Sequence, residues 1–207
     1  MRVSSLIALF TIFALPSLWS QECLDIDFML RGYFHAGSSI EDATAFGGFY
    51  KDGNIPKACT ESIDQLSEKD SFQLVVQIDS QSVEQGIKHF KLFIINASAE
   101  RVTLPAQDSR LYLKRQAFYR GKWQDVEYLP SSWCGNSYHN VFIDPGQYWS
   151  FNAPCMKGEI EAKFRFELYL SEEEHYYSNE FDGSFNKKQL KVEQGHNPVG
   201  IMDPYNN

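Results

Sequence analysis

From Ile160 to Leu170 apolar and polar residues alternate without a break. Ile160, Ala162, Phe164, Phe166, Leu168 and Leu170 interleave with Glu161, Lys163, Arg165, Glu167 and Tyr169. A period of two puts every second side chain on one face of an extended chain, which is the pattern of a half-buried strand. Such a strand needs partners, and the chain supplies them. Phe72, Leu74, Val76 and Ile78 alternate with Gln73, Gln77 and Asp79. After Gly86, Phe90, Leu92 and Ile94 face one way and Phe93 and Ile95 the other, so that strand is apolar on both faces and belongs at the centre of a sheet. A short Arg101–Leu104 segment and then Leu111–Tyr119 follow. The Arg120-Gly121-Lys122 turn leads into Trp123–Leu129 as a hairpin. Tyr176–Phe181 reads as the last strong strand, with Asp182-Gly183 as its turn. Short strands at nearly regular spacing, with no helical interruption, predict an all-β antiparallel Greek-key sandwich, with a closed barrel as the alternative.

The stretch Trp133–Cys155 concentrates two cysteines and two tryptophans around a turn at Asp144-Pro145-Gly146. Pro145 presets φ for the second turn position and Gly146 tolerates a positive φ at the next, so a hairpin is expected. Folding the chain about Asp144–Gln147 places Cys155 opposite Asn136 and near Cys134. Cross-strand neighbours lie within the reach of a disulfide, which predicts a Cys134–Cys155 staple and leaves Cys23 for Cys59.

At the other end, Met1-Arg2-Val3 is followed by an uncharged apolar run, Leu6–Leu15, and then by Pro16–Ser20. This is the layout of a secretory leader cut near Ser20. The run is shorter than the roughly 20 residues a membrane span needs, and no later stretch is long and apolar enough. The expectation is an exported protein, secreted or periplasmic, with no membrane span in the mature chain. All four cysteines, Cys23, Cys59, Cys134 and Cys155, follow the cut, and an even count in an exported chain argues for disulfides. No pair is spaced as a zinc ribbon requires. Without Arg2 the chain carries 18 basic against 27 acidic residues, a balance of −9 that disfavours nucleic acid and anionic membrane as partners. The expected organisation is a leader (1–20), an N-terminal strand, loop and short helix (21–70), the sandwich (71–192) and a flexible tail (193–207). In the second of these, Gly32, Gly37, Gly47, Gly48, Gly53 and Pro56 break regular structure, and Ile63 and Leu66 after Thr60 mark the helix.

Chemistry is sparse. Cys134 with His139 has the makings of a thiol nucleophile and its base, but export makes a bridged cysteine the expected fate. His35, His89, His139, His175 and His196 show no metal-ligand spacing, and Glu172-Glu173-Glu174 reads as a solvated turn, so no metal or cofactor is expected. No carboxylate pair, nucleophile elbow or phosphate loop stands out. Asn96-Ala97-Ser98 is a glycan acceptor only in a eukaryotic host. The positive lead is aromatic: Trp123, Trp133, Tyr138, Tyr148 and Trp149 cluster in two adjacent hairpins, and such rings stack on sugars or anchor a protein.

The segments Ser132-Trp133-Cys134-Gly135-Asn136-Ser137-Tyr138-His139 and Tyr177-Ser178-Asn179-Glu180-Phe181-Asp182-Gly183-Ser184-Phe185-Asn186 resemble those of uncharacterised exported bacterial proteins with immunoglobulin-like sandwiches. The resemblance spans roughly Phe72 to Leu190 and implies an immunoglobulin-like fold with Ser178–Phe181 in a terminal strand. It implies no activity. The functional expectation is therefore a non-enzymatic exported sandwich that binds a protein partner or a surface glycan through its hairpin aromatics. The alternatives are a thiol- or metal-dependent exported enzyme and a purely structural accessory domain.

Overall fold

The computed structural model describes residues 22–45, 53–130 and 135–192. The expected leader, the tail, Trp133 and Cys134 lie outside the described residues. The N-terminal part holds β1 (Leu24–Asp25), β2 (Leu30–Arg31), β3 (Lys57–Ala58) and one helical turn, α1 (Glu61–Asp64). The long strands follow: β4 (Phe72–Glu84), β5 (Ile87–Asn96), β6 (Val102–Gln107), β7 (Arg110–Leu111), β8 (Leu113–Tyr119), β9 (Lys122–Asp125) and β10 (Glu127–Tyr128). A 3-10 turn, Gly135–Ser137, opens the last third, which contains β11 (Tyr138–Ile143), β12 (Gln147–Pro154), β13 (Met156–Lys157), β14 (Ile160–Tyr169), β15 (His175–Tyr177) and β16 (Phe181–Phe185).

Two antiparallel sheets make the sandwich. One has the order β3-β12-β5-β4, the other β15-β14-β8-β9 with β16 also on β14. A third sheet, β11-β6-β7, contributes Val141, Ile143, Leu104, Ala106 and Leu111 to the same core. The layers meet through aromatic rings: Phe90 lies 5.3 Å from Phe181, and Phe34 sits edge-on to Phe151 at 5.7 Å and to Phe166 at 5.6 Å. Phe34 and Ala36 are fully buried there, so the glycine-rich N-terminal segment completes the core rather than lying outside it. Two short parallel pairs, β1 with β13 and β2 with β10, tie it in place.

The alternation in β14 is reproduced, with Phe164, Phe166 and Leu168 buried. The β8–β9 hairpin also forms, its Arg120-Gly121 turn having φ of 54° and 76°. Positive φ at both central residues is what a tight hairpin between twisted strands requires.

Several expectations are corrected. The chain turns at Asp144–Gln147, but β11 and β12 do not pair: β11 pairs with β6, and β12 with β5 and β3. The turn is a corner between sheets: β12 carries an eight-residue ladder with β5 on one edge and a two-residue pairing with β3 on the other. With the hairpin goes its predicted staple. Cys155 is bonded to Cys23, with Cα atoms 4.6 Å apart, and Cys59 is a free thiol. Pairing of Leu24 with Met156, and the hydrogen bond from the Leu24 amide to the Cys155 carbonyl at 2.8 Å, bring these two cysteines side by side. Asp182-Gly183 is not a turn but mid-strand in β16, opposite Lys163 and Ala162. Ile78 is 45% exposed because β4 bulges between Gln77 and Gln81. The expected helix shrinks to one turn, with Ile63 packed on Phe93 and Ile95.

Candidate functional site

The five hairpin aromatics do not form one patch. Trp149 is completely buried, its indole Nε1 donating to the Gly37 carbonyl at 3.0 Å, so it offers no face to a ligand. Tyr148 packs on Phe93 in the small cluster under α1. Tyr138 is 42% exposed on β11. Trp133 lies outside the described residues. Of the four within the described residues, Trp123 stands closest to other aromatic and polar side chains of an outer sheet face.

Trp123 is on β9, at the edge of the sheet β15-β14-β8-β9, on the face turned away from the core. Register explains its company. It pairs with Phe118, whose ring centre is 5.4 Å away, while Asp125 pairs with Gln116, Gln116 with Arg165, Lys114 with Glu167 and Glu167 with Tyr177. Period-two alternation therefore brings these side chains to one face. Phe118 and Tyr177 are each 45% exposed. The guanidinium carbon of Arg165 lies 4.3 Å from the Trp123 ring centre and 3.8 Å from that of Tyr177. Arg165 is packed against both rings.

The polar groups are held by one another. Gln116 Nε2 donates to Asp125 Oδ1 and to Glu167 Oε2, both at 2.9 Å, and Gln116 Oε1 accepts from Arg165 Nε at 2.9 Å. With carboxylates on one side of the amide and a donor on the other, its orientation is determined. Lys114 Nζ sits 2.8 Å from Asp125 Oδ2 and 3.2 Å from Glu167 Oε2. His175 Nδ1 lies 2.8 Å from Glu167 Oε1, and the Tyr177 hydroxyl donates to the same oxygen at 3.3 Å. Burial works against the charged form of Lys114, but Asp125 and Glu167 outweigh it and hold its pKa above the ordinary lysine value. Tyr177 is raised by burial and by Glu167, with Arg165 opposing. Beside this network is a cleft of about 460 Å³, lined by Trp123, Gln116, Gln124, Asp125, Lys114 and Glu167 with Met29 and Leu190 at its margins. That volume lies within the range of small-ligand sites, about 300–1,000 Å³.

Other sequence leads resolve into structure. His139 is buried, with Nδ1 3.1 Å from the Ser137 carbonyl, and its thiol partner Cys134 is outside the described residues. Among the described residues no group of three or more His, Cys, Asp or Glu side chains is placed to hold a metal. Asn96 is fully buried: Nδ2 donates to the Glu100 and Ile143 carbonyls and Oδ1 accepts from Ser98, so the sequon is a loop brace. The second motif is structural too. Ser178 Oγ accepts from the Phe166 amide, and the Asn179 side chain bonds both the amide and the carbonyl of Val76, bridging to β4 as a strand would. Asn186 and Gln189 form a reciprocal cap.

Comparison with known proteins finds no matching family, no matching curated protein and no matching solved structure. The chemistry of the sheet face therefore carries the functional argument alone. Arg165, Lys114, Gln116, Asp125, Glu167, Tyr177 and Phe118 were not among the residues nominated from sequence. Their signal was present in the outward positions of β14, which are polar or aromatic throughout. It was obscured on β8, where Arg115 and Gln116 are both polar and the alternation gives no clear inward face.

Proposed function

We propose that this protein is a non-enzymatic, exported β-sandwich that binds a glycan through the outer face of β15-β14-β8-β9. The observation carrying this reading is the cleft in which Trp123 stands beside the fixed amide and carboxylates of Gln116, Asp125 and Glu167. A sugar ring presents an apolar C–H face and a rim of hydroxyls, and it needs a flat aromatic surface together with planar hydrogen-bonding groups of set direction. This face has Trp123 as the ring and Asp125, its side chain 40% exposed, as the acceptor, with buried Gln116 and with Lys114 holding the carboxylate in place, so little is lost to side-chain immobilisation on binding. Lys114 bridges the two carboxylates and fixes the direction of their oxygens. Export is supported by the leader pattern and by the Cys23–Cys155 disulfide.

A glycan array followed by calorimetry tests the reading. Trp123→Ala should weaken binding by about tenfold or more, the scale of a lost aromatic anchor. Failure of every glycan to bind, with capture instead of a protein partner sensitive to Phe118→Ala, would replace it with a protein-docking face.

A further inference from the structure

Arg165 differs from the other cations on this face. Lys114, Asp125, Glu167 and His175 are mutually paired, and Lys163 lies 2.7 Å from Asp182. Arg165 has no carboxylate partner among the described residues. Its single hydrogen bond goes from Nε to the neutral amide oxygen of Gln116, so both terminal nitrogens of the guanidinium are uncommitted. The group is nevertheless immobilised, flanked by the Trp123 and Tyr177 rings and anchored at Nε. A planar fork held in one orientation, with its outer edge free, matches the two oxygens of a carboxylate. The chain's formal charge of −8 repels a polyanion at long range, so the attraction of an acidic ligand to this face rests on this one fixed cation.

Resting on the glycan reading above, we infer that the ligand is an acidic polysaccharide, and that Arg165 pairs with the carboxylate of a uronic acid residue while Trp123, which Arg165 touches, takes the sugar ring. The mobile carboxylate of an acidic peptide lacks the ring that the Trp123 cleft would hold. The occupant to which the face commits is therefore the uronic acid.

The test uses the mature full chain with oligogalacturonate and its fully methyl-esterified, neutral counterpart, read by calorimetry and by tryptophan fluorescence. The acid should bind about tenfold more tightly than the ester at low salt, as a charge-assisted bidentate pair requires, and the preference should shrink as salt rises. Arg165→Gln should bring the acid-to-ester ratio close to one, and Arg165→Lys should leave an intermediate ratio by keeping charge without the fork. If Arg165→Gln does not fold, the wild-type ratio and its salt dependence still decide. Equal binding of acid and ester overturns the inference and leaves the glycan reading standing. Binding of neither form at millimolar concentration overturns the inference and leaves the glycan reading to the array, and binding of a poly-glutamate peptide in their place overturns both.

Discussion

Arg115 places a cation inside the core. It is fully buried, 3.4 Å through Nε from Glu127, with Nη2 donating to the Pro154 carbonyl at 2.7 Å and the guanidinium 4.9 Å from the Phe166 ring centre. Glu127 in turn accepts from the Tyr33 hydroxyl at 2.8 Å and from the Arg115 amide at 3.0 Å. Burial pushes the Glu127 carboxyl up, and Arg115 only partly counters it. Glu127→Ala should destabilise the fold by about 3–5 kcal/mol in urea titrations, because it strands a buried cation, whereas the double change Arg115→Met with Glu127→Leu should recover much of that. Gly183 is constrained differently. A Cβ there would lie 2.3 Å from the Phe164 ring, so Gly183→Ala should cost about 1–3 kcal/mol by overpacking, and Phe164→Leu introduced with it should cost less than the two changes summed. Additive losses would show that the ring is not what excludes a side chain at 183.

At the scale of elements, short segments are held by side chains that stand in for backbone. Asp42 is the clearest case. It accepts from the amide and hydroxyl of Thr44, at 2.9 and 2.6 Å, and from the amide and side chain of Asn140, at 2.7 and 2.9 Å, which fastens the N-terminal segment to β11. Burial raises its pKa, but these four hydrogen bonds prevail and hold it below the ordinary aspartate value. A depressed folded pKa means that the unfolded chain takes up the proton first as pH falls. This contribution to stability is therefore complete above the unfolded value of about 3.9 and is lost as pH drops through the lower, folded value. Urea midpoints between pH 5 and 2 should fall less steeply in Asp42→Asn than in the wild type, and parallel profiles would remove Asp42 from the acid response. Likewise β11 and β12, adjacent in sequence, lie in different sheets, β11 with a six-pair ladder to β6 and β12 with an eight-pair ladder to β5.

For the whole molecule the deciding link is Cys23–Cys155, which closes a separation of 132 residues and joins the first described strand to the far end of β12. Loop-closure entropy for so long a span gives at most about 5 kcal/mol, and losses on removing such bridges fall at about 2–5 kcal/mol. Reduction, or Cys155→Ser, should lower the thermal midpoint accordingly, and non-reducing peptide maps should recover Cys23 and Cys155 in one fragment. Cys59 should alkylate without prior reduction, but slowly, since burial and then Asp64 raise its thiol pKa. A Cys59-containing disulfide fragment would contradict this arrangement.

Local pattern was enough to define the β class, the buried face of β14, the β8–β9 turn and the aromatic richness of the core, because period-two alternation and turn chemistry act over a few residues. Ile160–Leu170 alternates and becomes a long strand; Arg120-Gly121 carries the backbone freedom a tight turn needs. Partner choice was not legible. Whether β12 pairs with β11 or β5, and whether Cys155 meets Cys134 or Cys23, depends on ladders between segments more than fifty residues apart, whose free energies no local pattern encodes. Trp149 and Trp123 look alike in the sequence, each in an alternating strand beside a turn. Only the packing of the two sheets buries the first in the core and leaves the second beside Arg165 at the cleft, since the inward side of a strand is set by the layer that covers it.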